Sequence, residues 1–250
     1  MSPLRPLALV GALTFAAAGL SACQSTQSRS AELEKEGATK LLVDSGLKIE
    51  KESTEVEVTS TDLLSDANGS AVVVGLHNAS QEDLANVPIL IDVLDAKGKS
   101  VYSNDIPGIE PALAAVPYIP AGGDATWVND QVLASGRPKS VKVRVGAGGR
   151  HYSGSPPDIE VSSPMIEGDP VSGIEATGDV VNRSGEEQER LLLYAIATSG
   201  GRVVAAGRGA IEHMKASTKP VHYDIFFIGD PKGAEVEVIQ HPTLPGLEAE

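Results

Sequence analysis

The chain has 250 residues, 34 of them acidic and 20 basic, for a net charge of −14, with one cysteine and 4% aromatic residues. An acidic excess spread along the whole length disfavours nucleic acid and anionic lipid headgroups as partners, and so few aromatics disfavour a stacking platform for bases or sugars. One thiol excludes an intrachain disulfide and a cysteine-built zinc site, so the folded parts must rest on their apolar cores.

The first 22 residues read as an export signal. One basic residue, Arg5, precedes an uncharged run from Leu7 to Leu20 that is rich in Leu, Ala, Val and Gly. That run has the length of a signal-peptide apolar region and is short for a bilayer span. Leu20-Ser21-Ala22-Cys23 then places two small residues before the single cysteine. This quartet resembles the cleavage box of bacterial lipoproteins. The resemblance implies cleavage between Ala22 and Cys23, a diacylglyceryl thioether on Cys23, and acylation of the new amino terminus. Two or more acyl chains hold a protein stably at a membrane where one does not. An ordinary secretory signal with a chance cysteine, or a plain N-terminal anchor, is the other reading. Gln24 lacks the Asp that resembles an inner-membrane retention signal, which favours the outer membrane in a host with two membranes. No other apolar run approaches 18 residues.

Residues 23–53 are polar and without clear period, and read as a tether of about 30 residues that holds the folded part roughly 30 Å from the lipid. A short helix near Ala31 to Val43 is an option, interrupted by Gly37. Leu47-Lys48-Ile49-Glu50 alternatively opens the first strand.

The remainder reads as one unit repeated. Val56-Glu57-Val58-Thr59-Ser60 matches Ile159-Glu160-Val161-Ser162-Ser163, and Gly75 falls against Gly178. After a one-residue slip, Asn78-Ala79-Ser80 matches Asn182-Arg183-Ser184. The order of the blocks is what argues for duplication. Val141, Val143 and Val145 alternate with Lys142 and Arg144, as Val236 and Val238 do with Glu235 and Glu237, which is the two-residue period of a half-buried strand. Val87 to Leu94 is more continuously apolar, as is Leu191 to Ile196, and both read as central strands. Asp66-Ala67-Asn68-Gly69, Asp95-Ala96-Lys97-Gly98 and Thr198-Ser199-Gly200-Gly201 are turns. The expected fold is all-β, with two tandem Ig-like β-sandwich domains over 54–148 and 158–242, a Gly/Ser/Pro linker at 149–157 and a loose tail at 243–250.

The Asn-x-Ser segment, apolar strand and glycine turn, with Leu193-Tyr194 in the second copy and Leu90 with Asp92 in the first, resemble FxLYD-type domains. These are small Ig-like sandwiches of exported bacterial proteins, often duplicated. The Phe of the motif is absent from both copies. The resemblance implies a fold and an extracytoplasmic setting and carries over no catalytic residues.

Residues suited to chemistry are sparse. None of His77, His151, His213, His222 and His241 has a second histidine two or four positions away, as a metal site on a strand or helix would want. Glu212-His213 and His222-Tyr223-Asp224 would supply acid, base and phenol if the second unit brought them together. No Gly-x-Ser-x-Gly elbow or Ser-x-x-Lys occurs. The single tryptophan, Trp127, is either a core residue of the first sandwich or a surface contact for a partner. No catalytic residue, metal or cofactor is expected. The sequence is therefore read as a non-catalytic, lipid-anchored envelope protein that presents its sandwiches to another envelope component. A small-ligand binding lipoprotein is the alternative, and an envelope hydrolase built on the Glu212 group is a remote one.

Overall fold

A computed structural model describes residues 46–169 and 171–247. The signal segment, Ala22, Cys23 and the tether up to residue 45 lie outside these residues. The described chain is all-β, apart from one helical turn at Pro111–Ala114. The first repeat contains β1 (Val56–Ser65), β2 (Ser70–Asn78), β3 (Asp83–Leu94), β4 (Ser100–Ser103), β5 (Ala115–Ile119), β6 (Asp124–Asn129), β7 (Ser140–Val145) and β8 (Arg150–Tyr152). The second contains β9 (Ile159–Val161), β10 (Met165–Asp169), β11 (Gly173–Asn182), β12 (Gln188–Ser199), β13 (Arg202–Met214), β14 (Ser217–Phe226), β15 (Ile228–Gly229) and β16 (Glu235–His241).

Each repeat builds two antiparallel sheets around a core. In the first, β1-β2-β6 faces a sheet in which β3 is central, with β4 and β5 along one edge and β7 and β8 along the other. In the second, β9 and β10 share one edge of β11 and β14 takes the other, opposite the sheet β15-β13-β12-β16. Val72, Val74, Leu76, Ile89, Ile91 and Trp127 belong to the first core. Leu191, Leu193, Ala195, Tyr223 and Ile225 belong to the second.

The duplication is visible at atomic detail. Asn78 Nδ2 donates to the Glu82 carbonyl (2.8 Å), while its Oδ1 accepts from the Ser80 N–H and hydroxyl. Asn182 does the same with Glu186 (2.9 Å) and Ser184. Both asparagines are buried, so the paired Asn-x-Ser segments are internal braces of a turn. Gly75 and Gly178 lie against side-chain hydroxyls at matched positions: a Cβ on them would come within 2.9 Å of Thr59 Oγ1 and 2.7 Å of Ser162 Oγ. The one-residue slip between the copies has a structural cause. The β1–β2 ladder carries a bulge at Thr59, which has no partner between Val58↔Leu76 and Ser60↔Gly75, whereas β9 pairs Val180, Val181 and Asn182 of β11 in regular register.

The first repeat departs from the second where β4 stops and β5 begins. In the second, β13 runs unbroken beside β12 from Ser199 back to Gln188. In the first, residues 104–114 leave the sheet, and Asn104 fills the gap they open. Its Oδ1 accepts the Ile91 N–H (2.7 Å), and its Nδ2 donates to the carbonyls of Ile89 (2.9 Å) and Leu113 (2.7 Å). One buried amide thus satisfies β3 backbone groups that would otherwise be orphaned.

The two sandwiches are stacked and share a third apolar layer. Because strand residues alternate faces, Val72 and Val74 enter the first core while Val73 and Val128 point the opposite way. There they meet Leu192, Tyr194, Ile196 and Ala206 of β12 and β13. Strand β12 is accordingly buried on both faces, which explains the unbroken apolar run from Leu191 to Ala197. Beside this layer, the Asp66 carboxylate accepts the Gly229 N–H at 2.7 Å.

Three segments differ from their sequence-based readings. The tether was expected to run to Ser53, but Ala147 N–H donates to the Lys51 carbonyl and Ser53 N–H to that of Val145, so the chain is already fixed beside β7. Within the linker read at 149–157, Arg150–Tyr152 forms β8 and pairs with Asp83 to Ala85. The tail is not loose over its described part. Leu244 is buried with Ala85 and Tyr152, and Leu247 packs against the same group. Two leucines separated by Pro245-Gly246 form a small apolar face, which the turn lays on the first sandwich. Trp127 is also corrected as a partner contact: it is fully buried and its indole N–H donates to the Ala112 carbonyl at 2.8 Å.

Candidate functional site

A cleft of about 700 Å³ opens where the two sandwiches and the C-terminal segment meet. One wall comes from the first sandwich, through Glu110, Pro111, Ala115 and Pro117. The other comes from the start of β12, through Gln188, Arg190 and Leu192, and from the end of β13. Pro242 to Leu247 crosses between them. This crossing is fixed: Thr243 N–H donates to Gln188 Oε1 (2.8 Å), and the Thr243 hydroxyl donates to the Arg190 carbonyl (2.8 Å). The excursion held by Asn104 supplies the first wall, so the irregularity in one repeat is what shapes the cleft.

A buried charge cluster forms beside it. Arg208 of β13 is a forked donor to Glu110, Nη1 to Oε1 at 2.9 Å and Nη2 to Oε2 at 2.6 Å. Its backbone N–H donates to Asp130 Oδ2 (2.9 Å), and its Nε lies 3.6 Å from Asp130 Oδ1. Arg190 reaches Glu110 at 2.8 Å and Glu212 at 3.4 Å. Burial opposes the charge on Glu110, but the hydrogen bonds and charge of Arg208, with Arg190 behind, hold its carboxyl below the ordinary carboxylate range. Burial raises Asp130, against which Arg208 pulls in the other direction. Arg208 is shielded from water, with only 6% of its side chain accessible, and it joins the two sandwiches through charge as the valine and leucine layer joins them through contact.

Two backbone features mark the same place. Among the described residues, only Asn86 (φ 51°) and His213 (φ 53°) adopt a left-handed conformation without being glycine, and both line the cleft. Such conformations cost about 1–3 kcal/mol and concentrate at functional sites. His241 forms part of the floor, tilted against the Tyr194 ring at 4.6 Å between centroids. It is 6% exposed and its Nε2 has no hydrogen-bond partner. Burial pushes its pKa down to about 4. His241 also walls a second depression of about 400 Å³ with Tyr118, Asp124 and Ile239.

The residues singled out in sequence for acid–base chemistry do not pair with one another. His222 lies 3.4 Å from Asp179, His213 lies 3.6 Å from Glu187, and Glu212 faces Arg190. His77 pairs with Asp124 at 2.7 Å, and His151 pairs with Glu82. Among the described residues, no group of three or more His, Cys, Asp or Glu side chains gathers as a metal ion would need. Sequence reasoning missed Glu110, Arg208 and His241. The one available signal was Arg208 itself, a cation in the otherwise small and apolar segment Val203 to Ala210.

A second exposed feature lies on the far sheet. Among the described residues β10 is paired only on its β11 side, and all five of its residues are exposed. Met165 (58% exposed) and Ile166 (44%) lie on this strand and Val171 (97%) in the turn that follows it, while Phe226 (56%) lies on β14, across β11 from the edge. The register sets Glu167 directly opposite Glu175, and Glu175 opposite Phe226. Like charges facing across a ladder are destabilising.

The sequence matches no protein-family model and no curated protein.

Two outcomes follow from the buried groups. Arg208→Ala leaves the buried Asp130 without its counter-charge and Glu110 with only the more exposed Arg190, and is expected to cost about 3–5 kcal/mol in urea unfolding. The triple change Arg208→Met, Glu110→Leu, Asp130→Leu is expected to recover most of that loss. His241 binds a proton less readily folded than unfolded, so its contribution is fully present above the ordinary value of 6.5 and is lost as pH falls toward 4. The loss amounts to about 2 kcal/mol at pH 5 and about 3 kcal/mol at pH 4. Unfolding curves of the natural chain and of His241→Phe, compared across that range, should diverge by these amounts.

Proposed function

We propose that this chain is a lipid-anchored, non-catalytic protein of the bacterial envelope that works as a binding body for another envelope component. Cys23 is the acylation site and Ala22 the last residue of the removed signal. The membrane is the first partner through that lipid, and the outer membrane is its location where the host has two. The observation that carries the reading is the exposed edge of β10, with Met165 and Ile166 on the strand and Val171 in the turn beside it. Soluble proteins blunt such edges, because open backbone donors and acceptors recruit further strands. An edge left open with apolar side chains beside it suits strand addition by a partner. The carboxylates of Glu167, Glu175 and Asp224 around the same surface favour a partner strand carrying Lys or Arg. The rigid stacking of the sandwiches supports the reading, because a fixed body holds its docking edge at a defined orientation. The small-ligand alternative is favoured by a different observation, the cleft of about 700 Å³ between the sandwiches. The hydrolase alternative loses its support with Glu212, His213, His222 and Asp224 each engaged elsewhere or apart.

Mass spectrometry of the protein purified from membranes should find an acylated Cys23 terminus, and Cys23→Ser should move the protein to the soluble fraction. An unmodified thiol on a freely diffusing protein would remove the assignment. A photo-crosslinker at Val171 should capture one envelope protein reproducibly, and the same group at Leu133, which is equally exposed in the first repeat, should not. Met165→Lys should abolish that capture; equal labelling from both positions would count against a docking edge.

A further inference from the structure

The rungs that cross β10, β11 and β14 differ in what they offer a further strand. Ile166 stands opposite Ala176, and Ala176 opposite Ile225. Ala176 and Ile225 belong to the second core, so Ile166, 44% exposed, is the open end of an apolar layer that stops at the sheet edge. The next rung lies on the outer face, because strand residues alternate sides. It sets Glu167 opposite Glu175, and neither carboxylate has an ion-pair partner among the described residues. Asp169 is already engaged. Its oxygens accept from the Val171 and Ser172 N–H groups and from the Ser172 hydroxyl, which closes the turn into β11. Glu167 is the carboxylate of β10 left for a partner.

Charge limits what can pair here. Two carboxylates opposite one another are unfavourable, and a cation facing Glu167 from a strand beyond β10 offsets that repulsion. A second copy of this chain supplies no such cation. Pairing β10 with itself over all five of its rungs, about a two-fold axis at Glu167, sets this carboxylate against its own symmetry mate. Sliding the pair by one step of the pleat to avoid that gives up two of the five rungs.

We propose that the β10 edge accepts an antiparallel strand that carries Lys or Arg facing Glu167 and, as the next residue, an apolar side chain facing Ile166. This rests on the reading of β10 as the docking edge, and adds the rule by which that edge chooses. Antiparallel addition continues the sheet, whose ladders are all antiparallel. In that direction the residue facing Glu167 precedes the one facing Ile166. The apolar residue covers Ile166 and prolongs the layer of Ala176 and Ile225. The basic residue supplies the charge that the Glu167–Glu175 rung lacks. The rung works in both senses, since it attracts a basic strand and repels an acidic one or a second copy.

The peptide acetyl-Thr-Thr-Thr-Lys-Val-Val-Thr-Thr-amide, and its versions with Thr or Glu in place of Lys, test the rule on the full chain through the amide shifts of residues 165–169. The Lys peptide is expected to bind best, the Thr version about fivefold weaker and the Glu version about tenfold weaker or more. Glu167→Lys should invert the order. Glu57→Lys makes the same charge change on the exposed part of β1 and should keep it. Equal binding of the peptides would overturn the proposal, as would an unchanged order in Glu167→Lys. Inversion by Glu57→Lys would mean diffuse attraction to an acidic protein and would overturn it too, as would no shift on β10 at millimolar Lys peptide. Sedimentation as a dimer that Met165→Lys dissociates would assign the edge to a second copy instead. Crosslinking from Val171 separates this rule from the docking reading. Capture that survives Glu167→Lys undiminished removes the charge rule and leaves the edge standing, whereas a natural chain that captures nothing removes the edge itself.

Discussion

The arrangement depends on one shared layer, the contact between the outer face of β2 and β6 and the outer face of β12 and β13. Each sandwich is complete by itself in the sense that it has two sheets and a core. Yet Val73, Val128, Leu192, Tyr194 and Ile196 would stand in water without the neighbouring sheet. Burying such side chains contributes about 1.5–3 kcal/mol each. Arg208 adds a different kind of constraint. An apolar layer tolerates small slides, whereas a forked guanidinium on Glu110 and a backbone bond to Asp130 fix one register. The cleft, its two strained residues and its crossing segment all inherit their geometry from that register.

The strand architecture was largely open to reading because it depends on local alternation. Val141 to Val145 and Glu235 to Val238 show the half-buried period, and the turn at Asp95 to Gly98 was recognisable by its residues. The repeat could be read from block order, and the slip between Gly178 and Asn182 corresponds to a real difference in pairing, the bulge at Thr59 that β1 carries and β9 lacks. Properties that depend on distant segments were hidden. Nothing near Asn104 announces that it will bond to Ile89 and Ile91, since its partners are fixed only once β4 leaves the sheet. Leu244 and Leu247 looked like a tail because their contacts, Ala85 and Tyr152, lie far away in the chain. The continuous run Leu191 to Ile196 was legible as a buried strand, but not the reason for its burial. A second sandwich on its outer face and a central place in a sheet leave the same trace in sequence.

The two copies have diverged according to position. The second keeps β13 whole and offers an open edge at β10. The first has broken the matching strand, and the released segment, from Asn104 through Glu110 to the helical turn at Pro111–Ala114, has become a wall of the cleft and a carrier of charge. The two repeats are matched scaffolds, and the features suited to binding sit where they differ or where they meet. The same logic explains why the acid–base residues suggested by sequence did not assemble. Glu212, His213, His222 and Asp224 lie on exposed stretches of two strands of one copy, where Glu212, His213 and His222 each meet a separate neighbour.

The asparagine braces carry a consequence for making this protein in other hosts. Asn78 and Asn182 lie in the three-residue pattern that eukaryotic secretory cells decorate with sugar, and the nitrogen that would receive the glycan is the atom already donating to Glu82 and Glu186 inside the fold. A glycan attached there during synthesis would have to leave the turn unmade, so such a host would deliver misfolded material. Asn68 fits the same pattern on an exposed turn, and sugar there would be harmless. A host that leaves these residues bare lets both turns close.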